Sequence, residues 1–132
     1  MIRQFALIVV LGAAAVAAMV PATATHAEAL RHLRLKAAFP AKDTTLTSAP
    51  DAVRLWLSEP ADLNATKIEV KAVGGAVIAT AALTRGAQAD APVVARFTTP
   101  PGSGRYEIDW RAMSKDGHVV KGTHQFTVRL AD

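Results

Sequence analysis

The 132-residue sequence contains no cysteine, which removes disulfides and thiolate chemistry together. Stability must come from packing and hydrogen bonding, and no thiolate is available for soft-metal or redox chemistry. Aromatic residues make up only 5% of the chain, its cations are scattered without a run, and the formal net charge is +4. A nucleic-acid surface built on a basic stripe with interleaved aromatics is therefore not expected. Also missing are a phosphate-cradling glycine loop, a paired HExxH zinc helix and a GxSxG nucleophile elbow, so no motif supports an enzyme.

Long apolar runs are confined to the start. In MIRQFALIVVLGAAAVAAMVPATATHAEAL, Arg3 precedes an apolar stretch from Phe5 to Val20, and Pro21 and small residues follow in place of a basic stop-transfer segment. This is the pattern of a secretory signal peptide, with a retained anchor as the alternative. Cuts after Ala24, Ala27 or Ala29 satisfy the small-residue rule, which gives a leader within 1–29 and a single domain over 30–132. About 100 residues then remain, enough for one modest core. Export without stable membrane insertion points to the bacterial periplasm.

The mature part alternates apolar and polar residues in short segments broken by turn residues, which predicts an all-β sandwich or barrel of about seven strands. Val53, Leu55 and Leu57 share one face, as do Ile68, Val70 and Ala72. Gly74-Gly75 then turns the chain into a return strand, AVIATAAL. Tyr106, Ile108 and Trp110 are expected inward, and a last strand from His124 to Leu130 is expected to bury Phe126, Val128 and Leu130. A first strand is expected over His32 to Phe39. Residues 80–92 are expected to form a short helix or an irregular loop. Trp56 and Trp110 read as packing residues, and His124 as a residue of the polar face.

The remaining chemistry lies in KDGHVVKG, residues 115–122, where Asp116 and His118 flank a glycine. Residues two apart in a turn can direct a carboxylate and an imidazole to one side. Asp-Gly is also among the commonest turn dipeptides, so for the pair taken alone a solvated turn with an exposed histidine is the better explanation.

The surroundings of that turn carry a resemblance. Gly104, Tyr106, Ile108, Trp110, Ser114, Asp116 and His118, followed by Gly122, Phe126 and Val128, resemble the C-terminal signature of the CopC copper-resistance family. His32-Leu33-Arg34-Leu35 with Phe39-Pro40-Ala41, and Ala49-Pro50 before Val53-Arg54-Leu55-Trp56-Leu57-Ser58-Glu59, are similar to its front, with Leu57 where the family has phenylalanine. The resemblance runs from about His32 to Leu130.

It implies a Greek-key, immunoglobulin- or cupredoxin-like β-sandwich or barrel that works as a monomeric, non-enzymatic periplasmic copper carrier for homeostasis and resistance. One Cu(II) would be held by His32, Asp116 and His118, with Glu59 beside the site. Imidazole and carboxylate suit Cu(II), which favours tetragonal nitrogen and oxygen sets. An inner-membrane copper transporter is the candidate protein partner. The family's first histidine is usually the mature amino terminus, whereas a cut before His32 would follow Arg31. A cut after Ala29 would instead leave Leu30-Arg31-His32, an amino-terminal x-x-His sequence. Met113 is the single methionine after Met19, so a thioether Cu(I) site is not expected. Two other readings are an immunoglobulin-like interaction domain without metal and a copper oxygenase using a histidine brace.

Overall fold

The computed structural model describes residues 32–132, so the expected leader and its candidate cleavage points lie outside the described residues. Nine strands form two open sheets: β1 (Leu35–Phe39), β2 (Thr45–Leu46), β3 (Ala52–Leu57), β4 (Lys67–Ala72), β5 (Val77–Ile78), β6 (Thr84–Arg85), β7 (Val93–Arg96), β8 (Gly104–Met113) and β9 (Val119–Val128). One sheet has the order β1-β3-β7-β6 and the other β2-β9-β8-β4-β5. The architecture is the expected all-β sandwich with the two sheets interleaved along the chain, and neither sheet closes into a barrel. The two strands beyond the expected seven come from two-residue edge pieces, too short for alternation to reveal.

The core lies between the sheets and is filled by the residues that alternate inward. Val53 and Leu55 of β3, with Val93 and Ala95 of β7, face Ile68 and Val70 of β4, Ile108 and Trp110 of β8, and Phe126 and Val128 of β9. Gly122 pairs with Trp110, and a Cβ at that position would stand 2.8 Å from the indole, so only glycine lets the ring lie flat against β9.

Several expectations shift. The first strand begins at Leu35 rather than His32, because the backbone at 32–34 bonds to Ser58 instead of running on along β3. The Gly74-Gly75 turn forms as expected, with Gly74 at φ 73°. Its return strand is only Val77–Ile78, because the chain then crosses to the other sheet, where Thr80 bridges Phe97. Residues 80–92 hold β6 in an otherwise irregular path and no helix. Leu130 lies beyond the end of β9 and is 37% exposed. His124 points inward, as its parity with Phe126 and Val128 requires, and is buried with Nε2 donating to the Pro40 carbonyl at 2.9 Å.

Candidate metal centre

Four chain segments meet at one end of the sandwich. β1 starts there and β3 ends there, since Leu35 pairs with Leu57. The β8–β9 hairpin turns at the same end through residues 114–118. An edge strand of one sheet and the central hairpin of the other thus bring His32 close to a turn far along the chain.

Ser58 fixes the His32 segment. Its hydroxyl accepts from Arg34 N at 2.9 Å and donates to the His32 carbonyl at 3.2 Å, while its own amide donates to Arg34 O at 2.9 Å. Leu33, 3% exposed, pins the same segment into the core. His32 therefore projects its ring outward from an anchored backbone. Half-buried Glu59 follows Ser58 directly, beside this segment.

Ser114 organises the turn in the same way. It is buried, its hydroxyl donates to Asp116 Oδ1, and it accepts from His118 N at 3.1 Å. Its backbone amide donates to His118 O at 2.9 Å, which closes the loop. Gly117 sits at φ 89°, a conformation glycine adopts without steric penalty. Asp116 Oδ2 then lies 2.8 Å from His118 Nδ1. The Ser114 hydroxyl, then His118, hold the Asp116 carboxyl down to about 2, so it is a carboxylate throughout the neutral range.

The His32 and His118 rings approach edge-on, with centroids 5.3 Å apart and planes at 75°. An imidazole bound to a metal at about 2 Å has its centroid about 3 Å from the ion, so two rings on one ion stand roughly 4.5–6.5 Å apart. The observed spacing falls within that window. Two donors at right angles on one ion, each about 2 Å away, stand about 2.8 Å apart, which is also the spacing of Nδ1 and Oδ2. Among the described residues no group of three or more His, Asp or Glu side chains already converges on a common point. The turn and the His32 segment present their donors as a pair plus a neighbour, with His118 shared between them.

His32 and Asp116 are thus each brought beside His118, and Glu59 follows Ser58, which is bonded to the His32 segment. Reading the sequence for ligands passed over the two serines and Leu33. The serine of the S-x-D-x-H pattern was visible, but only the folded turn reveals that its hydroxyl serves both neighbours.

Residues 35–129 match the CopC domain family. Asp116 and His118 lie inside that match and His32 just before it. Protein YobA of Escherichia coli strain K12 is 28% identical over 98 residues, covering 74% of this chain and 79% of that protein. Copper resistance protein C of Escherichia coli is 28% identical, with 76% and 84% covered. Among solved structures, PcoC, a methionine-rich copper resistance protein from Escherichia coli, superposes with a TM-score of 0.65 at 27% identity, covering 74% of this chain and 99% of that one. CopC from Methylosinus trichosporium OB3b shares the fold, with a TM-score of 0.69 at 22% identity over 76% and 97% of the two chains.

Proposed function

The chain belongs to the CopC family, and from that premise we propose that it is a periplasmic copper carrier, without enzymatic activity, that binds one Cu(II) through His32, Asp116 and His118. The observation that carries this reading is the double fit around His118: Oδ2 of Asp116 at 2.8 Å on one side and the His32 ring at 5.3 Å on the other. Nδ1 of His118 and Oδ2 of Asp116 would both donate to a Cu(II) ion bound at the turn, in place of their mutual hydrogen bond. His32 then needs only a side-chain rotation, because Ser58 and Leu33 already hold its backbone. Glu59, next in the chain to Ser58, would serve this reading as a hydrogen-bond acceptor beside the ligands, the usual role of a carboxylate next to a ligand set.

The site lies at the surface, with His118 and Asp116 side chains 62% and 64% exposed. An open site of mixed imidazole and carboxylate donors suits an ion that must be taken up and passed on. The leader pattern within residues 1–29 supports a periplasmic location, and an inner-membrane copper transporter is the partner this reading proposes for a monomeric carrier.

Equilibrium titration with Cu(II), using a competing chelator, tests the assignment. The wild-type protein binds one equivalent, and the D116A/H118A double variant binds at least about tenfold more weakly. Equal affinity in the two proteins removes the assignment, and no binding by either leaves the metal-free interaction domain.

A further inference from the structure

The outer face of the β4–β8–β9 sheet carries its charges in rows. Lys67, Arg111 and Lys121 stand in register across the three strands, Lys67 opposite Arg111 and Arg111 opposite Lys121. All three are exposed, and among the described residues none is within ion-pairing distance of a carboxylate. The polar contact of the row is a long one from Arg111 Nη1 to the Ala65 carbonyl, at 3.5 Å. Like charges directly opposite one another on a sheet are destabilising, so the fold gains nothing from this arrangement.

The next row, Glu69, Asp109 and Thr123, is of the opposite character. Here Asp109 is engaged by Lys71 at 2.8 Å and by the Thr123 hydroxyl at 2.6 Å. Both rows line a shallow depression of about 580 Å³. Two members of the basic row, Arg111 and Lys121, lie on the hairpin whose turn holds Asp116 and His118. Lys121 is three residues from His118, about 10 Å along the strand, and exposed Lys115 extends the positive charge into the turn itself.

We propose that the Lys67–Arg111–Lys121 row docks a short acidic stretch of a partner protein and thereby sets that partner beside the metal turn. Three unpaired cations about 5 Å apart match two or three carboxylates on one edge of a partner. The carboxylate row one step away argues against an extended anionic surface such as a membrane or a nucleic-acid backbone, which would meet Glu69 and Asp109 as well. That the partner gives or receives copper rests on the function proposed above; the chemistry of the docking row does not.

The test is an amide NMR titration of the copper-free protein with hexaglutamate at low salt, with hexaglutamine and vesicles of phosphatidylethanolamine and phosphatidylglycerol as the other arms. Hexaglutamate is expected to shift the amides around residues 67, 111, 121 and 123. Binding should weaken about tenfold or more in K67E/K121E and progressively with salt. The substitutions relieve like-charge contacts, so the variant folds, and K67Q/K121Q gives the same answer without new charge. Shifts centred elsewhere, undiminished binding in both variants, or binding to vesicles with none to hexaglutamate overturns the proposal. H118A separates the two readings: it abolishes copper binding and leaves the hexaglutamate shifts intact. Docking in a wild-type protein that binds no copper sinks the copper reading alone.

Discussion

At the scale of single residues, two small side chains decide what the larger ones can do. Gly122 is the seat of Trp110, and a methyl group there would stand 2.8 Å from a buried indole. G122A is expected to destabilise the protein by about 1–3 kcal/mol, the usual penalty of overpacking, and to change the tryptophan emission; urea denaturation and fluorescence check both. Ser114 has the corresponding role in the Asp116–His118 turn of the candidate site. In S114A the Asp116 carboxyl loses its main stabilising donor and moves from about 2 back toward the usual carboxylate range, which a carboxyl-carbon NMR titration reads. Because the folded value lies below the unfolded one, this contribution to turn stability is fully present above about pH 4. It fades as the pH falls toward 2 in the wild type, and S114A loses most of it at every pH. Copper affinity is expected to drop about tenfold or more in the same variant, since a ligand's orienting partner is gone. Asp116 and His118 stood out in the sequence as candidate ligands through the family resemblance, since the pair alone reads as a solvated turn. The serine's reach to both was not, because a hydroxyl that bonds within its own turn leaves no pattern distinct from an ordinary polar residue.

At the scale of elements, alternation located the long strands and failed at their ends. Tyr106, Ile108 and Trp110 are inward because β8 is ten residues of regular pleat paired on both sides. Leu130 shares that parity on β9, but the ladder stops at Val128 and the Leu130 amide turns to the Ser103 hydroxyl. His124 shows the converse. Its polar side chain suggested the outer face, but the pleat turns it inward, and the Pro40 carbonyl supplies the hydrogen bond that makes burial tolerable. The outer face has an interlock of its own, in which Lys71 reaches Glu107 at 3.1 Å and Asp109 at 2.8 Å, joining β4 to β8. Lys71, then Thr123, lower the Asp109 carboxyl, so its contribution is complete above the ordinary carboxylate range and is lost as the pH falls through the depressed value. These groups are partly solvated, so D109N is expected to cost only about 0.5–1 kcal/mol at neutral pH. That difference should shrink in strong acid, where the wild-type carboxyl is protonated too; denaturation midpoints at pH 7 and pH 2 check it.

At the scale of the whole molecule, the candidate site joins the two sheets. His32 enters from the edge of one and His118 from the central hairpin of the other, so an ion held by both adds a polar link between the sheets at one end of the apolar core. Anything that binds the folded state and not the unfolded one stabilises by mass action, by about 2.7 kcal/mol when the free ligand is a hundredfold above its dissociation constant. For a domain of about 100 residues that corresponds to a rise in melting temperature of roughly 10–20 °C. Scanning calorimetry with buffered Cu(II) is expected to show this rise in the wild type and almost none in H118A, which loses the donor shared by both halves. H32A is the informative intermediate: the Asp116–His118 pair remains within one hairpin, so a smaller shift should survive at the same free copper. An H32A shift equal to that of the wild type would mean that copper sits on the hairpin alone and that the approach of the two rings is packing. A shift lost as completely as in H118A would make the bridge between the sheets the principal source of affinity, with the hairpin pair too weak to hold the ion unaided.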